Sequence, residues 1–338
     1  MTTPLLLLGF AALLGGLAGQ PLSRARWPRH APRLAVALWQ ALCFGVLSSV
    51  VLGAAALASP VLTGGAAGGL GEFLARCQLV LRGETDASQS LALAVSGLLV
   101  AIATLGRVAW SAATSTRDAR RTRRAQLERL LLVGRRLRGD QGEDLVLLDD
   151  DRSAAYCLPS RGRGTIVIST GSLDLLADDQ LRLVLAHERA HLRQRHHVAA
   201  QLSAVLCSAF GWVPLFRYGA SEVPVLLEMA ADDQAVRATA TDPDRGTDLR
   251  RSSRRRLGHA LVTLATAQPA SPAGALAAAG NSAVARVHRL SEPPLRLGAT
   301  HITLLGLGAL TAFTGPTLVT SAPAICAAAM DICPFVSS

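Results

Sequence analysis

The sequence predicts a membrane α-helical protein of about four spans, with a cytoplasmic α+β domain inserted before the last one. Three observations predict it. Half of the 338 residues are hydrophobic and 17% are charged, and the apolar excess is gathered into four long runs. Arginines cluster at the ends of alternate runs, which orients every loop consistently. Residues 113–300 read instead as short strands and amphipathic helices, the pattern of a domain with its own core.

The first run is Leu5 to Leu22. A secretory signal carries positive charge before its apolar core, but here MTTP precedes the run and Arg24, Arg26, Arg29 and Arg33 follow it. An anchor with its N-terminus outside is expected. Leu34 to Ser59 is long enough to span with some tilt. Ser90 to Trp110 is interrupted only by Arg107, whose long side chain is expected to snorkel to the interface. Ile302 to Ser321 is the last run. Residues 23–33 hold four arginines, whereas 60–89 hold only Arg76 and Arg82 against Glu72, Glu84 and Asp86. STRDARRTRR follows the third run. Positive loops stay inside, so 23–33 and 112–300 are expected in the cytoplasm, with the N-terminus, 60–89 and the C-terminal tail outside. The expected division is a membrane region at 1–112, a soluble domain at 113–300, a last span at 301–322 and an extracytoplasmic tail at 323–338.

Val198 to Phe216 threatens that scheme, because its nineteen residues carry no charge. A single crossing would place the arginines of 250–256 outside. A buried, interfacial or re-entrant helix broken near Gly211 and Pro214 is expected instead.

Inside the domain, residues 117–138 alternate arginines with leucines, as an amphipathic helix leaving the membrane would. Leu145–Leu148, Ala154–Leu158 and Thr165–Ser169 read as strands, the last two joined by a turn at 160–164. Ala177-Asp178-Asp179 is expected to cap a helix through LAHERAHLRQRHH. Residues 241–256 are polar and turn-rich, and 266–282 read as an Ala/Gly/Pro/Ser-rich loop or linker.

That helix contains His-Glu-x-x-His. His187 and His191 lie one turn apart on one face, so both imidazoles can reach one ion. Zn2+ suits two neutral imidazoles and a carboxylate, with a fourth position left for water. Glu188 lies beside that face, placed to act as general base. The third ligand is expected to be Glu228 in VPVLLEMAADDQAV. Asp232, one turn later, then stands behind a ligand histidine and bonds its free N–H, as in a gluzincin-type site. The apolar flanks of that stretch favour a buried turn over a solvated acidic face, and Asp233 is the neighbour expected at the surface. Three ligands that meet at one ion lie on one side of a bilayer, so Val198–Phe216 does not cross just once. His196 and His197 are read as ending the helix, and only His196 is a candidate orienting group, not a ligand.

The charge is +10, and all 34 basic residues are arginine. The runs at 117–124 and 250–256 are expected to face anionic lipid or solvent, so no direct nucleic-acid partner is expected. Six cysteines include no Cys-x-x-Cys pair, which argues against a cysteine zinc site.

The whole resembles the BlaR/MecR-type antirepressor metallopeptidases, with three leading spans, a cytoplasmic His-Glu-x-x-His domain and a final span. The matching segments are LAHERAHLRQRHH, Gly211-Trp212-Val213-Pro214, Glu228 to Asp232, and Arg286-Val287-His288-Arg289-Leu290. AYCLPSRGRGTIVISTGSLDLL resembles the strand pair that precedes the motif there, the edge on which a substrate strand lies. The resemblance implies a gluzincin-like zinc endopeptidase in the cell membrane. It also implies a protein substrate, a winged-helix transcriptional repressor cleaved after a membrane signal. The chain departs from those relatives by ending about sixteen residues after the last run. It also has no Ser-x-x-Lys, so direct β-lactam sensing is not expected.

A heat-shock-type membrane quality-control zinc protease is the alternative reading, and a non-enzymatic signalling or nucleic-acid-binding module is a third. Outside the membrane, a Cys326–Cys333 disulfide, or one to Cys77, is weighed against free thiols.

Overall fold

The computed structural model of the protein describes residues 2–65, 88–139, 142–160, 164–239, 246–267, 283–293 and 297–332. Four of its helices are long and apolar enough to cross a membrane: Thr2–Arg24, Pro32–Ala58, Ala92–Leu130 and Ala299–Ser321. Here Thr2–Arg24 is α1, with a π-helical stretch at Leu14–Ala18. Helix α2 is Pro32–Gly65, and α3 is Ser88–Val133, a single helix of 46 residues. It passes residue 112, the expected edge of the membrane region, without a break.

The amphipathic helix expected over 117–138 therefore ends five residues early. Gly134 ends it, because the chain there runs so close to Val146 that a Cβ would collide with its side chain. Arg135–Arg138 then forms β1, followed by β2 (Asp144–Leu148), β3 (Ala155–Leu158) and β4 (Thr165–Ser169). The sheet order is β1-β2-β4-β3, with β2 and β4 parallel and the outer pairs antiparallel. β3 is thus an edge strand. Within the 160–164 turn, residues 161–163 lie outside the described residues.

Ser169 ends β4 and caps the short helix α4 (Thr170–Leu175), its Oγ accepting from the Ser172 N–H at 3.2 Å. Helix α5 (Asp178–Arg193) begins as expected at Ala177, whose N–H donates to Gln180 Oε1 at 3.1 Å. It packs through Val184 and Leu181 against Leu176, β3 and Ala260 of α8 (Gly246–Ala267). Through Leu183 and Ala186 it packs against Ala235, Val236 and Leu257. The part of 241–256 from Gly246 onward is therefore helix rather than turns, because Leu257 and Ala260 anchor it on α5; residues 240–245 lie outside the described residues.

The apolar stretch after α5 folds as α6 (His196–Phe210), a turn at 211–213, and α7 (Pro214–Thr239). The break falls at Gly211–Pro214, where the sequence places it. This hairpin inserts between α1, α2 and α3. Trp39, Leu42, Cys43 and Val46 of α2 share one core with Leu206, Leu215 and Phe216. Gly19 of α1 lets α7 approach, since a Cβ there would meet Tyr218 at 2.9 Å and Leu215 Cα at 3.1 Å. Gln40 of α2 donates to Ala199 O and Ser203 Oγ, both at 3.1 Å. Arg107, exposed on α3, donates its Nε–H to the Ala209 carbonyl at the open end of α6, satisfying an orphan acceptor there.

Residues 283–291 form α9, and Ala299–Ile332 forms α10. Helix α10 runs through the start of the expected tail at 323. Residues 268–282 of the linker, 66–87 with Cys77, and Cys333 lie outside the described residues, so the disulfide expectation does too.

Candidate metal centre

The sequence puts His187 and His191 on one face of α5, and α7 delivers Glu228 opposite them. His187 Nε2 and His191 Nε2 stand 3.1 Å apart. Glu228 Oε2 is 3.4 Å from His187 Nε2, and Glu228 Oε1 is 3.4 Å from His191 Nε2. A tetrahedral ion with bonds of ~2.0–2.1 Å separates its ligand atoms by about 3.4 Å, so this spacing fits zinc. His187 is buried, and His191 and Glu228 are partly so.

The groups behind the imidazoles orient the rings. Asp232, fully buried, places Oδ1 2.9 Å from His187 Nδ1, so its carboxylate faces the Nδ1 side of the ring while Nε2 faces His191 and Glu228. His196 does the corresponding service for His191. Arg195 adopts a left-handed conformation (φ 51°), which turns the chain back so that His196 begins α6 instead of ending α5. Its Nδ1 then lies 3.1 Å from His191 Nδ1, and its Nε2 lies 3.1 Å from Gln194 Oε1. One tautomer satisfies every atom: Nε2–H donates to Gln194, and Nδ1 accepts from His191 Nδ1–H. Burial, reinforced by His191, lowers the His196 pKa to about 4, so it stays neutral as that chain requires.

Glu188 follows His187 on α5, partly buried and close enough to the Cys157 thiol of β3 for each to act on the other. Burial holds its carboxyl above the ordinary value, against the pull of His187 and His191. Burial and the Glu188 charge together push the Cys157 thiol up, keeping it a donor. Glu228 behaves oppositely. Burial alone would raise it, but its close contacts with His187 and His191, with the Arg286 guanidinium beside them, hold it well below the ordinary glutamate value.

Arg286 and Arg289 of α9 were given no role by the sequence. Arg286 grips Asp232 with two bonds, Nε to Oδ2 at 2.9 Å and Nη2 to Oδ1 at 2.7 Å, and reaches Glu228 Oε2 with Nη1 at 3.0 Å. Burial works against Asp232 ionising, yet this fork draws its pKa down to about 2. Arg289 bonds Asp233 at 2.7 Å and the Arg29 carbonyl between α1 and α2. Asp233, expected at the surface, is therefore half-buried in an ion pair. The signal available was the basic Arg286–Arg289 pair one helical turn apart, matching the acidic Asp232–Asp233 pair.

Residues 119–224 match the family model of peptidase family M48. That is about a third of the chain, and it takes in the sheet, the His-Glu-x-x-His helix and the hairpin as far as Pro224 within α7, ending before Glu228. The match supports a metallopeptidase of that family, whose peptidases use zinc, and the apolar helices support a membrane protein. No curated protein and no solved structure matches the chain.

Proposed function

We propose that the chain is an integral-membrane zinc endopeptidase whose centre faces the cytoplasm. The observation that carries this reading is the convergence of His187, His191 and Glu228 at the ligand spacing of a tetrahedral ion, with Glu188 beside it. His187, His191 and Glu228 would hold Zn2+, which supplies an acidified water and polarises the scissile carbonyl. Glu188 takes a proton from the attacking water and passes it to the leaving amine. Its raised pKa brings it closer to neutral pH, where a base that must also act as acid works best. Asp232 and His196 fix the two imidazoles, and Arg286 holds the Asp232 and Glu228 carboxylates in place. The free edge of β3 carries Cys157 at the cleft, and an extended substrate strand would pair there.

The four apolar helices span the bilayer with 23–33 and 113–300 in the cytoplasm, as the arginine distribution favours. The α6–α7 hairpin then enters from the cytoplasmic face and returns. The resemblance to antirepressor peptidases supports a cytoplasmic regulator as substrate, a winged-helix repressor in particular. The quality-control reading keeps support from one feature: α3, a candidate span, continues into the wall of the cleft, so segments leaving the bilayer reach it. Two measurements test these readings. Glu188→Ala retains zinc and loses cleavage by about 10²–10⁴-fold; a variant that cleaves normally ends the assignment. Proteomics of cut peptides in cells carrying wild type or Glu188→Ala separates one repressor cut at one bond from many misfolded membrane proteins.

A further inference from the structure

The cleft over the metal centre is a cavity of about 480 Å³. One wall is α3, and the residues it presents are Ala119, Thr122, Arg123 and Gln126. Their spacing of three, four and seven is a single helical face, so the wall is a register and not scattered lining. The far side is apolar, built by Leu158 of β3, Leu192 of α5 and Leu227 of α7. Ala119 and Thr122 are short, which leaves room in front of Arg123.

Arg123 differs from the arginines around it. Arg117, Arg120, Arg121 and Arg124 are exposed and point away from this face, whereas Arg123 is half-buried at the cavity. Among the described residues no carboxylate pairs with it. Arg123 also acts, with Arg195, on His197 of the same lining, adding to the burial that lowers that imidazole. The one carboxylate that lines this cavity, Glu228, is already engaged by His187, His191 and Arg286. A partly desolvated guanidinium with no partner is completed by an anion from outside.

We propose that the cleft selects peptide segments that set an Asp or Glu side chain against Arg123 while an apolar neighbour seats on Leu158, Leu192 and Leu227. This rests on the peptidase reading for cleavage, though binding does not require turnover. The acidic residue lies within a few positions of the scissile bond, because Arg123 lines one cavity with His191 and Glu228. The cell's positively charged segments, including the chain's own arginine runs, are repelled by the same group.

The test uses the full-length protein in neutral-lipid nanodiscs and a peptide library randomised around the cut. Wild type should favour Asp or Glu at one subsite. Arg123→Glu should reduce kcat/KM for acidic peptides by roughly tenfold or more and raise it for Lys or Arg counterparts, a reversal that misfolding cannot produce. The same pairs are measured by fluorescence anisotropy on zinc-loaded Glu188→Ala and on Glu188→Ala/Arg123→Glu. Arg123-dependent binding of acidic peptides without cleavage by wild type would sink the peptidase reading and leave the selection standing. Equal loss across all peptides overturns the proposal. So does an Arg123 effect seen only with anionic lipid in the nanodisc, which assigns the side chain to headgroups.

Discussion

Two uncharged stretches of almost equal length, Val198–Phe216 and Ile302–Ser321, end in different structures. The second is one helix whose large side chains stand uncovered: Leu304, Leu307, Leu310, Phe313 and Leu318 are all more than half exposed. The first is broken into a hairpin, and Leu206, Leu215 and Phe216 are almost completely enclosed by α1 and α2. Hydropathy reports what a segment gains by leaving water, and protein or lipid can supply that gain equally. What separates the two is the rest of the chain. Two of the proposed ligands precede the first stretch and the third follows it, and a single ion would require the stretch to return to the side it left.

The comparison breaks most completely at the ion. Glu228→Ala and His191→Ala should each abolish activity and co-purified zinc, read by metal analysis of the purified protein; full zinc occupancy in either variant would uncouple the two flanks. The next largest effect compares burial directly. Leu215→Ala should cost about 2–5 kcal/mol in detergent-solubilised protein, whereas Leu307→Ala should cost under ~0.5 kcal/mol, because the first leaves a cavity among packed helices. Thermal unfolding of the two variants reads the difference, and equal shifts in Tm would make the two stretches alike.

Asp232→Asn should weaken zinc binding about 10–100-fold while leaving the helices intact, measured by chelator competition. The smallest effect is in pH. Glu188 is held above its ordinary value by burial, so its base form is lost earlier on acidification. The acid limb of kcat/KM should therefore fall at a pH above the usual glutamate range, and a limb at or below that range would show Glu188 to be solvated.

Much of this arrangement was legible because it is local. His187 and His191 are one turn apart, Glu228 and Asp232 are one turn apart, and each pair declares its face without any tertiary knowledge. The hairpin was legible because chemistry on both flanks limited the topology. Strand β1 was not. Arg135-Arg136-Leu137-Arg138 shows no alternation, and all four residues are exposed, so only pairing with β2 makes it a strand. The turn that brings His196 back to His191 rests on a single left-handed arginine, which no residue preference announces. The Arg286 fork closes on Asp232 across a sequence separation of 54 residues, and neither end reveals the other alone.

Helix α3 has one property that its sequence pieces conceal. Its 46 residues extend for roughly 70 Å with no joint between the candidate span and the cleft wall. At ~1.5 Å per residue Arg123 lies about 25 Å along the helix from Gly106 in the candidate span, so a tilt of about 5° about that level would move the guanidinium by about 2 Å. That is close to the difference between a formed and a broken ion pair. A displacement at the Ser88 end of this helix would therefore reach the cleft wall directly, with no joint in between to absorb it.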